Sequence, residues 1–260
     1  MKYNKSPWGY CLLFILFSTT STAQYSIGEF VNKSITLRSD FPSKSVLVTN
    51  MADYGIGDLS PLLIAGSWLE KGRKLECRSL LEFNYTTLPE MLINDTSLLH
   101  SAELILYPVN TTDLANDLNK PGKFIVKRVI EKWEDSLIVW DNQPLADSSL
   151  QVSIDIKVKN KKNPVAIDVT KLVKDMLLFG NKGFMICPEN SAQQSFAAGE
   201  LFASPKNDNE KLRPILVINY QYLAGSSVTQ TLKNGGGRAQ QLRLQQKPPN
   251  QTQKSNQVNN

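Results

Sequence analysis

An aromatic ring set among cations is the arrangement in this chain with the most chemistry to offer. Trp68 stands between Gly66 and Ser67 on one side and Glu70, Lys71, Gly72, Arg73 and Lys74 on the other. An indole packs against the apolar C–H face of a pyranose. Lysine and arginine pair with uronic acid carboxylates, arginine bidentately. The segment 66–77, GSWLEKGRKLEC, reads as a polar loop. Trp68, Lys71, Arg73 and Lys74 are therefore the leading ligand-contact candidates, with Tyr54 in the turn Asp53-Tyr54-Gly55 beside them. The alternative for Trp68 is packing back onto the domain.

Catalytic patterns are thinner. The single histidine, His100, leaves no two-histidine metal motif, and no G-x-S-x-G elbow offers an activated serine. Glu131, Glu134, Asp135 and Asp141 could supply the two carboxylates of a glycosidase. Their closeness in sequence on a turn fits a solvated edge better, so the expectation is no enzyme. Cys77 and Cys187 form either a disulfide, which export would permit, or two buried thiols. No cofactor is expected. A structural calcium ion could draw on Asp53, Asp58 and loop carbonyls, although their spacing is not that of an EF-hand.

Strands must position these groups. Leu150, Val152, Ile154, Ile156 and Val158 alternate with Gln151, Ser153, Asp155 and Lys157, the period of a half-buried strand. Further short runs fall at 45–49, 78–83, 102–107, 123–130, 136–140, 183–187 and 214–222, with prolines and glycines between them. Adjacent Leu80 and Leu81 point to a bulge or to a strand buried on both faces. Trp133 and Trp140 flank a turn and are assigned to the core. One helix is expected, with Thr170 or Asp168 at its N-terminus, Leu172, Val173, Met176 and Leu177 on its apolar face, and Gly180 as its stop.

The ends differ from the middle. Residues 1–23 carry Lys2 and Lys5, an apolar run from Tyr10 to Phe17, and a small-residue exit at Ser21, Thr22 and Ala23. That is the layout of a secretory signal peptide cut after Ala23, and its apolar run is too short to span a bilayer. Residues 224–260 hold eight Gln, five Asn and five basic residues with no acid, and read as a disordered basic tail suited to a cell-surface or matrix contact. The overall charge of +5 therefore belongs to the termini, because 22 basic residues face 24 acidic ones in between. A nucleic-acid grip by the middle is not expected. The expected organisation is a signal peptide at 1–23, a β-sandwich at 24–223 and a tail at 224–260, in a secreted protein outside the cell or on its surface.

Four blocks in order carry a family resemblance: RSLLEFNYTTLP at 78–89 with SAELILY at 101–107, KRVIEKWEDSLIVWDNQP at 127–144, IDVTKLVKDMLLFGNKGFMI at 167–186, and LFASPKNDNEKLRPILVINY at 201–220. Together they resemble the DNRLRE domain, also classed as carbohydrate-binding module family 96. Glu82 departs from the pattern, standing where the family commonly has a basic residue. The resemblance implies an exported, antiparallel jelly-roll-like β-sandwich that binds polysaccharide, with alginate as one ligand type. A structural or adhesive surface protein on the same sandwich is the alternative, since fold does not fix function.

Overall fold

Short alternating strands punctuated by proline build two curled antiparallel sheets. The computed structural model describes residues 29–40, 42–50, 61–70, 72–109, 123–155, 163–189 and 198–224. The expected signal segment at 1–23 and the tail beyond Ala224 lie outside the described residues. So do Asp53, Tyr54, Asp58, Lys71, Ile156 and Val158.

The first sheet runs β1 (Phe30–Arg38), β11 (Ile215–Leu223), β5 (Leu99–Leu106), β8 (Val165–Asp168). The second runs β10 (Ala198–Ala203), β3 (Leu62–Glu70), β4 (Arg73–Glu82), β9 (Phe184–Pro188), β6 (Lys123–Val129), β7 (Ala146–Asp155), and β2 (Lys44–Thr49) also pairs with β4. Chain neighbours such as β4 and β5 fall in different sheets, which gives the sandwich its crossovers.

Alternation explains the main core. Leu104, Leu106, Leu216 and Ile218 of the first sheet meet Leu81, Phe124, Val126, Phe184 and Ile186 of the second. Phe124 and Phe202 meet edge to face at 5.5 Å, and Phe83 and Phe184 at 6.4 Å. Leu150, Val152 and Ile154 of β7 pack against this core while Gln151, Ser153 and Asp155 face water, as their period requires.

Helix α2 (Thr170–Phe179) packs into the same core through Leu172, Val173 and Met176, and touches β5 of one sheet and β6 and β7 of the other. It ends at Gly180, whose φ of +95° is one that residues with a Cβ rarely adopt. Its start differs in detail from expectation. Val169 is the capping residue and Thr170 the first helical one. Asp168 Oδ1 accepts from the Thr170 amide, and the Thr170 hydroxyl instead accepts from the Ala102 amide, tying the helix to β5. A second, shorter helix, α1 (Glu90–Asn94), was not expected, and its five residues bury only Leu92.

The outer face of the second sheet is also covered. Leu81 points into the inter-sheet core, and Leu80 points the other way, into a cluster with Val46, Val48, Ile125, Val129, Trp133, Met185 and Cys187. Burial on both faces, not a bulge, therefore explains the adjacent leucines. The lid over this second cluster is the segment 130–145. Residues 136–140 are consequently no strand. They form a turn leading into a 3-10 turn at Trp140–Asn142, draped over a sheet instead of joining it. The Asn142 side chain holds that turn, its Oδ1 accepting from the Val139 amide at 2.7 Å and its Nδ2 donating to the Leu137 carbonyl at 2.9 Å.

The cysteines are free and buried, not bonded. Register gives the reason. Leu80 sits opposite Met185 and Ser79 opposite Ile186. Residues directly opposite share a face and successive residues alternate. Cys187 thus lies on the Met185 side of the sheet, and Cys77 on the Ser79 side. A sheet separates the two sulfurs. Burial raises both thiols to about 11. No helix among the described residues is long and apolar enough to cross a membrane.

Candidate functional site

Residues 66–77 are not a loop. They form the hairpin of β3 and β4, with Ser67 opposite Glu76, Trp68 opposite Leu75, Leu69 opposite Lys74 and Glu70 opposite Arg73. The alternation missed in the sequence is Gly66, Trp68 and then Leu75, Cys77 on one face, obscured by the charged tip between them. Gly72, with φ of +78°, makes the reversal.

The hairpin separates the candidates. Trp68 keeps 9% of its surface exposed and packs with Leu47, Ile64, Leu75, Cys77 and Leu201. So little exposed surface leaves no open ring face for stacking. Arg73 is exposed at the tip, and Lys74 beside it is half-exposed. The Lys74 carbonyl accepts from Asn50 Nδ2 at 3.0 Å, and Asn50 Oδ1 accepts from the Glu76 amide at 2.9 Å, so the residue after β2 braces this strand. Trp68, Arg73 and Lys74 thus share one braced hairpin, with cationic groups beyond an aromatic anchor. The placement of Lys71 and Tyr54 relative to it lies outside the described residues.

A second polar cluster sits on the outer face of the second sheet, and the sequence offered no signal for it. Arg78 Nε lies 2.6 Å from Glu76 Oε1, and its Nη1 donates to Gln143 Oε1 at 3.0 Å. Its guanidinium stacks 4.8 Å from the centre of the half-buried Trp140 ring. Gln143 Nε2 donates in turn to the Trp140 carbonyl at 2.9 Å. Glu76 on β4 fixes the guanidinium, while Arg78 Nη1 and the stacking on Trp140 reach the 130–145 segment, so Arg78 acts as a clamp on that lid. Its partner is 65 positions away, too far for a spacing rule to find. Trp133 is the deeper anchor, 4% exposed, with its indole N–H donating to the Lys182 carbonyl at 2.8 Å.

The acidic residues considered for catalysis serve the same lid. Glu131 Oε2 accepts from the Leu145 amide at 2.8 Å. Glu134 pairs with Lys44 at 3.1 Å, and Asp135 faces Lys206 at 3.9 Å. Asp141 is exposed in the 3-10 turn. Glu82 is opposite Lys44 in the β2–β4 register. Burial raises its carboxyl above the ordinary range, and Lys44 and Lys182 act against that rise. His100 is exposed on β5, and the hydroxyl of its neighbour Ser101 accepts from Asn219 Nδ2 at 3.0 Å.

A family model described as carbohydrate-binding module family 96 matches residues 42–220. The match covers more than half of the chain and takes in β2 to β10 and most of β11. No curated protein matches the chain.

Proposed function

Since the chain belongs to carbohydrate-binding module family 96, we propose that it is a secreted, non-catalytic module that holds polysaccharide outside the cell or at its surface. The observation that carries this reading is the family match over residues 42–220, β2 through most of β11. Within it, the cationic β3–β4 hairpin favours acidic glycans such as alginate. Arg73 supplies a planar fork for a uronate carboxylate and Lys74 a point charge, with Lys71 two positions before Arg73 in sequence. Trp68 anchors the hairpin through its packing with Leu47, Ile64, Leu75, Cys77 and Leu201. The basic residues after Ala224 suit an additional tether to an anionic surface.

Affinity electrophoresis of residues 24–260 in gels containing alginate tests this reading. Retardation that weakens with salt and falls at least about tenfold in Arg73→Ser/Lys74→Ser is expected, each lost charge-assisted contact being worth ~1.5–3 kcal/mol. Migration of the folded protein unaffected by any acidic or neutral glycan would refute it. Release of unsaturated or reducing ends would replace it with a catalytic role.

A further inference from the structure

We propose that the protein carries a second sugar site at the end of α2, where Phe179 is an open stacking platform for a neutral pyranose. The inference rests on the glycan-binding reading above but uses none of the residues of the hairpin site.

Phe179 is 70% exposed although the helix that carries it buries Leu172, Val173 and Met176. Core packing therefore does not account for this ring. What holds it is a cation. The Arg128 guanidinium lies 5.4 Å from the ring centre. Arg128 is itself fixed, with Nη2 3.2 Å from Asp147 Oδ2 and Nε 3.9 Å from Asp175 Oδ2, and its side chain is only 11% exposed. The ring thus has a guanidinium, paired to Asp147, within cation–π distance, and most of its surface is open to solvent. Beyond Phe179 the chain is also anchored. Asn181 Nδ2 donates to the Phe83 carbonyl at 2.7 Å, and Asn181 Oδ1 accepts from the Gly183 amide at 3.0 Å. A platform held this firmly loses little freedom on binding.

The surroundings select the ligand. Asp175 is one helical turn before Phe179 and shares its face of the helix. Asp147 stays ionised at any working pH, because the Ser149 hydroxyl and amide, followed by Arg128, hold it at about 2. Ionised carboxylates only accept hydrogen bonds. They match the hydroxyls of a sugar, and Arg128 at the ring with Lys182 Nζ beside Gly180 balances their charge, so no net positive charge is left to draw a uronate. Ile130 stands two residues after Arg128 and Leu145 two residues before Asp147, just beyond β6 and β7; the Ile130 amide donates to the Leu145 carbonyl at 2.9 Å, and both side chains are exposed. They add an apolar margin where the C–H face of a pyranose can extend. The two sites therefore sort by charge, the hairpin taking anionic units and the helix end neutral ones.

Saturation-transfer NMR and calorimetry on residues 24–260 test this with cellohexaose, mannohexaose and galactohexaose, and with hexa-alginate for comparison. At least one neutral hexaose should bind, with saturation reaching its ring C–H protons. Phe179→Ala should weaken it at least about tenfold, and Phe179→Trp should preserve or strengthen it. Hexa-alginate binding should be unchanged in both variants and lost only in Arg73→Ser/Lys74→Ser. The proposal is overturned if no neutral hexaose binds the folded protein, or if its binding ignores Phe179→Ala. Self-association in sedimentation that Phe179→Ala abolishes would also overturn it, making the platform a contact between copies. Loss of hexa-alginate binding alone, with the neutral sugar retained, would count against the hairpin site and leave this one standing.

Discussion

Replacing Trp133 by alanine tests whether the outer face of the second sheet is a true core or a place where an indole waits for sugar. The ring packs with Val46, Val48, Leu80, Ile125, Val129, Met185 and Cys187. An indole of this kind buries on the order of 200 Å², which at ~25 cal/mol per Å² amounts to about 5 kcal/mol as an upper bound. Measured Trp→Ala losses in cores run about 3–5 kcal/mol. The 2.8 Å bond to the Lys182 carbonyl contributes about 1 kcal/mol within that range. Urea unfolding followed by tryptophan fluorescence and circular dichroism should therefore show a loss of about 4 kcal/mol. With a slope of roughly 2–3 kcal/mol per molar, the midpoint falls by about 1.3–2 M. Trp133→Phe keeps most of the apolar area but leaves the carbonyl unpaired, so it should lose about 1–2 kcal/mol. Glycan affinity of the folded fraction should not change in either variant. A loss below about 1 kcal/mol in Trp133→Ala, or reduced affinity at undiminished stability, refutes the assignment of this ring to a core.

Three other outcomes are expected. Gly183→Ala should destabilise by about 2–4 kcal/mol in urea unfolding, because its φ is +84° and a Cβ there would sit 2.4 Å from the Leu81 carbonyl oxygen. Asp147, lowered from 3.8 to about 2 by Ser149 first and then Arg128, contributes stability that is complete above its unfolded value and lost as pH falls through the folded one. Thermal melts of Asp147→Asn should accordingly lack part of the acid loss seen in the parent between those values. Both native thiols, raised to about 11 by burial, should resist a thiol-reactive dye at pH 8 until denaturant is added, and the intact mass should show no two-proton deficit. Immediate labelling of the native protein, or a disulfide in the intact mass, would contradict the opposed-face placement of Cys77 and Cys187.

Legibility in the sequence followed the range of each interaction. The clean alternation at 150–155 announced β7, and the stop at Gly180 announced the end of α2, because both depend on neighbours within a few positions. The run at 136–140 misled because apolar residues on a lid satisfy the same pattern as those in a strand. Its lack of ladder partners is a tertiary fact. The β3–β4 hairpin was missed for the opposite reason. Its charged tip dominated the local composition, and the pairing of Trp68 with Leu75 lay across it. The apolar stripe expected for the helix ended at Leu177, and only the fold shows that Phe179, like Leu178, stays exposed while Leu172, Val173 and Met176 are buried.

From its residues alone, the chain set its periodicities, its turns and the ordered blocks that mark its family. These are local or cumulative properties that need no partner in space. The tertiary structure decided which face each strand turned inward and that a sheet stands between the two cysteines. It also decided that Arg78 clamps a lid 65 positions away and that Arg128 lies within cation–π distance of an exposed ring. Those outcomes depend on register and crossover, where a shift of one residue moves every side chain to the other face, and no local pattern encodes that shift.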